Sequence, residues 1–179
     1  MRIRTAVWLA AFLLLLGVGA AVNIPGSFLG DGSAASGGKA GSAPGEFLPD
    51  FKVKCLDGSV FTLSEQRGKT VVINLWATWC LPCVAELPHF ERLLGEHGDT
   101  TAVLALHSDL VTEDVEAWLA GRDYHLPFAV AEDRALTDML GGGDVLPRTV
   151  VISPEGEVLY NAAGSVTYED LLRITGNGS

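Results

Sequence analysis

The sequence predicts an α/β fold with a mixed central sheet flanked by helices. Two continuous apolar runs, Thr70–Trp76 and Thr101–His107, have the composition of strands covered on both faces. A segment of helical periodicity separates them, and further short helix and strand patterns follow. The chain then changes character, with two short strand-like runs meeting across Pro154-Glu155-Gly156 and a final helical segment. Strands separated by helices pair in parallel and a hairpin pairs antiparallel, so the sheet is expected to be mixed.

At the N-terminus, Arg2 and Arg4 precede an uncharged stretch from Thr5 to Val22 that contains Leu13-Leu14-Leu15-Leu16. A basic start followed by an apolar segment of this length reads as a signal-anchor, or as a signal peptide cleaved near Gly19-Ala20-Ala21. No cysteine lies near it to carry a lipid, and only Lys39 is basic among the first 29 residues after it. The N-terminus is therefore expected in the cytoplasm and the folded part outside, membrane-held or secreted. Residues 23–45, rich in Gly, Ser and Ala, read as a flexible tether with a reach of roughly 25–30 Å. Residues 46–179 form the expected domain.

Within it, Phe51–Cys55 and Ser59–Leu63 alternate around Asp57-Gly58 as a β-hairpin. After the strand Thr70–Trp76, the run Leu81–His97 places Leu87, Phe90, Leu93 and Leu94 on one helix face. The second buried strand, Thr101–His107, precedes a helix over Thr112–Gly121 with Thr112 as N-cap and Val115, Trp118 and Leu119 inward. A short strand (Pro127–Ala131), a short helix (Arg134–Leu140) ended by three glycines, the hairpin Thr149–Ile152/Glu157–Asn161 and a helix over Thr167–Ile174 complete the chain.

Formal charge is −10, and −12 once the two leader arginines are set aside. That excess argues against nucleic-acid binding and against broad adhesion to anionic lipid. Three cysteines are too few for a disulfide scaffold.

The chemistry is concentrated at Cys80-Leu81-Pro82-Cys83, where the apolar strand gives way to the helix. A helical turn brings positions i and i+3 close enough for a disulfide. The first cysteine sits where the helix N-terminus favours thiolate over thiol. Half a zinc site has the same spacing, but the flanking Trp79, the proline in the motif and the missing second cysteine pair favour redox chemistry over metal. Glu86 follows Cys83 by three residues, on the cysteines' side of the helix. A partly buried carboxylate there would handle the proton of Cys83; an exposed one would only complement the helix dipole. Cys55 reads as a half-buried bystander thiol, and His89, His97, His107 and His125 as structural or surface residues. Val84 after Cys83 rules out covalent haem attachment, and no phosphate loop or nucleophile elbow appears, so no cofactor is expected.

The stretch from Gly68 through Cys83, with Glu86, Pro88 and Leu146-Pro147-Arg148-Thr149, resembles the TlpA/ResA-like family of membrane-tethered thiol–disulfide oxidoreductases, which includes the CcmG-like proteins of cytochrome c maturation. The resemblance implies a thioredoxin fold with an N-terminal hairpin and an added strand–helix unit at about 101–121. It implies thiol exchange outside the cytoplasm on disulfide-containing proteins, with electrons from a membrane donor of the CcdA/DsbD type. It makes Cys80 the attacking thiolate, Cys83 the resolving thiol and Glu86 the proton handler, because Asn74 stands where thioredoxin has a buried acid. Trp79, Leu146 and a cis Pro147 would meet substrate, with Asn74, Trp76, Pro82 and a helix-kinking Pro88 as structural neighbours. A neutral Leu81-Pro82 leans toward a reductant. Two alternatives stay open: a dedicated reductant of apocytochrome c, and a non-catalytic binding module that grips an extended partner by strand addition.

Overall fold

The computed structural model describes residues 43–108 and 115–178. The expected leader, most of the tether and the Thr112 cap lie outside those residues. The hairpin forms as β1 (Lys52–Lys54) and β2 (Val60–Thr62), antiparallel with Val53 opposite Phe61. A single 3-10 turn, Leu63–Gln66, leads to β3 (Thr70–Trp76), every residue of which is buried. Helix α1 (Leu81–His97) returns the chain to β4 (Thr101–His107). Then come α2 (Val115–Leu119), β5 (Phe128–Val130), α3 (Arg134–Met139), β6 (Arg148–Ile152), β7 (Val158–Ala163) and α4 (Tyr168–Thr175).

The five-stranded sheet has the order β5-β4-β3-β6-β7, parallel for β3–β4–β5 and antiparallel for β3–β6–β7. Alternate residues of β3 supply the two cores. Val72 and Trp76 pack with Leu87, Phe90 and Leu93 of α1 and Leu171 of α4. Val71, Ile73 and Leu75 pack with Leu104, Leu106, Val150 and Ile152, under Val53, Phe61 and Leu63. Covering on both faces is why the β3 run is uninterruptedly apolar apart from Thr70 and Asn74. Asp133 caps α3 through Leu136 N–H at 3.2 Å, and Thr167 with Asp170 forms a reciprocal capping box on α4, which ends at Gly176 with φ 76°.

In the central strand–helix unit, β4 pairs with β3 along seven residues, from Thr70↔Thr101 to Trp76↔His107, and α2 follows it. The edge strand β5 pairs with β4 over three residues. The first hairpin closes over β5, with Leu56 N–H donating to the Phe128 carbonyl at 2.8 Å and Cys55 bridging Ala129. An edge covered in this way offers fewer free backbone groups to a foreign strand.

Candidate redox site

The chain leaves β3 at Trp76 and turns through Ala77-Thr78-Trp79, with Cys80 N–H donating to the Ala77 carbonyl at 3.1 Å. Cys80 becomes the N-cap of α1 in an extended conformation (φ −82°, ψ 94°). Its Sγ accepts the Cys83 N–H at 3.3 Å, one of the donors a helix start leaves unsatisfied. Pro82 lies in the first turn, where its missing N–H costs nothing. Cys80 and Cys83 are joined as a disulfide with Cα atoms 5.2 Å apart. Cys83 is fully buried and Cys80 only slightly less so. Around them Trp79 is 61% exposed and Leu81 80%.

Glu86 occupies the wrong kind of position for a charge. The buried stripe of α1 is Cys83, Glu86, Leu87, Phe90 and Leu93, so a carboxyl group stands in an apolar row with 2% of its surface exposed. Asn74 Nδ2 donates to its Oε1 at 2.7 Å and Val166 N–H to its Oε2 at 3.0 Å. Burial pushes its carboxyl up to about 7, against the two hydrogen bonds that favour the ionised form. The exposed helix-terminus alternative is thereby ruled out. Asn74 lies opposite Thr149 in the β3–β6 register, and both are fully buried. Asn74 Oδ1 and Thr149 Oγ1 have no hydrogen-bond partner among the described residues.

Leu146 and Pro147 are joined by a cis peptide bond, and the Pro147 carbonyl accepts from Gly164 N–H at 2.9 Å. Leu146 packs against the core that holds both motif cysteines. Pro88 lies inside α1, which continues through it; lacking an N–H, it leaves the Val84 carbonyl without its helical donor.

Of the two readings the sequence allows for His107, structural or surface, the structure supports the first: it ends β4 opposite Trp76. It is buried, its ring meets Trp76 edge-on at 5.3 Å, and its Nε2 accepts from Thr78 N–H at 3.4 Å. The only signal in the sequence is that it ends an apolar strand on the side from which the active helix departs. His125 pairs with Glu91 at 2.9 Å on the surface, and His97 approaches the Tyr168 hydroxyl at 3.5 Å. Cys55 requires a correction: it is buried at 3% exposure, not half-buried, because β5 closes over the hairpin end. Burial pushes its thiol up. A disulfide-exchange reagent should accordingly find no thiol in the oxidised native protein within minutes and one per chain after denaturation.

The Redoxin family matches residues 43–172, which span the hairpin, the motif, the cis proline and most of α4. The chain belongs to the Redoxin family. The thioredoxin-like protein YneN of Bacillus subtilis is 30% identical over 166 residues, covering 92% of this chain and 94% of its own length. The thiol–disulfide oxidoreductase ResA of Bacillus cereus is 32% identical over 130 residues, covering 71% and 73%. Among solved structures, the exposed lipoprotein thioredoxin of Streptococcus pneumoniae superposes with a TM-score of 0.66 at 29% identity, over 72% of this chain and 99% of its own. Within the Redoxin family this chain is of the TlpA/ResA-like type, a thiol–disulfide oxidoreductase of thioredoxin fold that acts on disulfide-containing proteins.

Proposed function

We propose that this Redoxin-family protein is a protein-disulfide reductase held on the extracytoplasmic side of a membrane by residues 1–22. The observation that carries the direction of transfer is the uneven environment of the two sulfurs. The helix start supplies Cys80 Sγ with one N–H donor, the intervening Leu81 and Pro82 add no charge, and Glu86 lies one helical turn beyond Cys83. An acid near the pair disfavours the dithiolate, whereas strongly oxidising members of this fold stabilise their reduced form.

In the reduced protein, Cys80 as thiolate attacks one sulfur of a substrate disulfide. The substrate S–S bond breaks, a mixed disulfide forms, and the departing substrate sulfur takes up a proton. Cys83 then gives its proton to Glu86 and attacks Cys80 Sγ. The second substrate thiol leaves, and the Cys80–Cys83 disulfide seen here is the product. Two electrons have passed to substrate, and a membrane dithiol donor of the CcdA/DsbD type returns them. Trp79 and the Leu146-Pro147 edge supply the contact surface for the substrate backbone.

The membrane assignment is supported by the basic-then-apolar leader and the Gly/Ser/Ala tether. The pneumococcal relative is described as an exposed lipoprotein; here an apolar segment without cysteine would take the place of a lipid. Native protein should remain with membranes after carbonate washing and begin near Met1. A soluble form beginning near Ala21 or Val22 would instead establish cleavage.

The experiment that tests the redox assignment is alkylation of the reduced protein. Iodoacetamide near neutral pH should label Cys80 first and block reduction of a peptide disulfide in proportion to labelling. Mapping that finds Cys83 modified before Cys80 would reverse the roles.

A further inference from the structure

The Asn74 amide is satisfied at one end only. Its Nδ2 donates to Glu86 Oε1 at 2.7 Å, while its Oδ1 has no partner among the described residues, and neither has Thr149 Oγ1. Asn74 and Thr149 are direct cross-strand partners in the β3–β6 register, and the next pair on that face, Val72 and Val151, packs with the apolar stripe of α1. Direct partners of an antiparallel pair share a face, with Cβ atoms about 4.5–5.5 Å apart. Both residues are fully buried, so two polar atoms without hydrogen bonds are a cost the fold carries beside its redox site.

The protonation of Glu86 explains the vacancy in this hydrogen-bond pattern. Both groups on its carboxyl are donors, Asn74 Nδ2 and, at 3.0 Å, Val166 N–H. That arrangement fits a carboxylate, which only accepts. A neutral carboxyl also carries a donor, and in this arrangement neither neighbour receives it. Val166 N–H belongs to the backbone and cannot change role. The Asn74 amide can, by a half turn about its last side-chain bond that exchanges Oδ1 with Nδ2. Oδ1 then accepts the proton on Glu86 Oε1, and Nδ2 takes the place beside Thr149. A hydroxyl serves both orientations, donating to Oδ1 in the first and accepting from Nδ2 in the second. The titratable groups bordering this core are Cys83 on α1, His107 on β4, Tyr160 on β7 and Tyr168 on α4, the last with its hydroxyl on Glu96. No ion pair reaches Glu86 among the described residues, so its burial and its own hydrogen bonds decide which form is held.

We propose that Asn74 and Thr149 are positioning residues that follow the proton on Glu86: the amide reverses when Cys83 delivers its proton, and the Thr149 hydroxyl partners the amide in both orientations. This rests on Glu86 as the base for Cys83. In that step the Cys83 S–H bond breaks and the proton goes to Glu86 Oε1. The Cys83 sulfur keeps the electron pair and attacks Cys80 Sγ of the mixed disulfide, and the substrate sulfur leaves with the pair of the bond that breaks.

Removing the hydroxyl has a definite sign. Without it the neutral form strands an Asn74 N–H, whereas the ionised form strands only a carbonyl oxygen, the better tolerated of the two. Thr149→Val, of nearly equal shape, should therefore favour ionised Glu86. The test uses the oxidised full-length chain in detergent micelles with carbon-13 in the glutamate carboxyls, the Glu86 resonance being the one absent from Glu86→Gln. Wild type should titrate near 7, and Thr149→Val about one unit lower, a tenfold loss of proton affinity. Thr149→Ser, which keeps the hydroxyl and loses the methyl, should stay within about a third of a unit of wild type. A weaker base takes the Cys83 proton less readily, so the mixed disulfide should live about threefold longer in Thr149→Val and unchanged in Thr149→Ser. Wild type alone supplies a readout that needs no variant: the nuclear Overhauser contact between the Asn74 amide protons and the Thr149 methyl should strengthen below the Glu86 midpoint. A midpoint that Thr149→Val leaves in place or raises, equal shifts in the valine and serine variants, unchanged mixed-disulfide lifetimes, or an Overhauser contact independent of pH would overturn the switch and leave Glu86 as the base. Wild-type Glu86 titrating in the ordinary carboxylate range would overturn the buried-base reading, and the switch with it.

Discussion

Cys80→Ala should abolish disulfide reduction, a loss of roughly a thousandfold or more, while Cys83→Ala should retain the first step and accumulate mixed disulfides with its substrates. The two variants share one structural loss, the bond between positions 80 and 83, and differ only in which sulfur remains. If Cys80 attacks and Cys83 resolves, only the variant that keeps Cys80 can form a covalent complex, visible as a thiol-sensitive shift on a non-reducing gel. Complexes trapped by Cys80→Ala rather than Cys83→Ala would reverse the order. The same pair of variants decides against a merely structural disulfide. A bond closing so short a ring restrains the unfolded chain little, worth about 2 kcal/mol by loop entropy. Both variants should therefore stay folded, with denaturation midpoints close to that of the reduced wild type, while one of them loses all activity. A staple would show the opposite: a large loss of stability and no covalent intermediates.

How much of this site is legible in the sequence depends on whether the relation between residues is local. Cys80, Cys83 and Glu86 are spaced by single helical turns, so their common face follows from the period of the helix alone. The bounds of β3, α1 and β4 were equally legible, because long apolar runs and an unbroken 3.6-residue period leave few alternatives. Relations that pass through the sheet were not. His107 meets Trp76 only because β3 and β4 run parallel in one register, and nothing near either residue announces that register. Cys55 looked half-buried because alternation describes the hairpin itself; its burial comes from β5, more than seventy residues later. Strand order within the sheet is hidden for the same reason, since it is set by packing and not by composition. Arg134 and Asp144, ten residues apart on either side of a glycine run, become neighbours through the conformation of that connection.

Glu86→Gln should make the oxidised protein more stable above neutral pH and the reduced protein a worse proton handler. In the native oxidised state the carboxyl is raised from 4.5 to about 7, chiefly by burial. A raised acid binds its proton more tightly in the folded chain than in the unfolded one, so its protonated form stabilises the fold. That contribution is fully present below about 4.5, declines as pH rises toward 7, and is lost above it. The span corresponds to on the order of 3 kcal/mol. Glutamine has the same shape and cannot ionise. Its carbonyl oxygen can accept from Val166 N–H, and its amide can donate to Asn74 Oδ1 once the Asn74 amide turns over, using an acceptor that now lacks a partner. Denaturant midpoints of the variant should thus be flat between about pH 4.5 and 7 where those of wild type fall, and should exceed wild type above that window. In the reduced protein the ionised carboxylate opposes a second negative charge on Cys83, so removing it should lower the apparent thiol pKa by about one unit, or about 1.4 kcal/mol, in a thiolate absorbance titration. Resolution of the mixed disulfide should slow at the same time, because Cys83 has lost the group that takes its proton. Stability and chemistry moving in opposite directions is the signature of a carboxyl kept in the buried stripe for function. Coincident thiol titrations for wild type and Glu86→Gln would instead leave Glu86 as a structural tie between Asn74 and Val166, with the proton leaving Cys83 by another route.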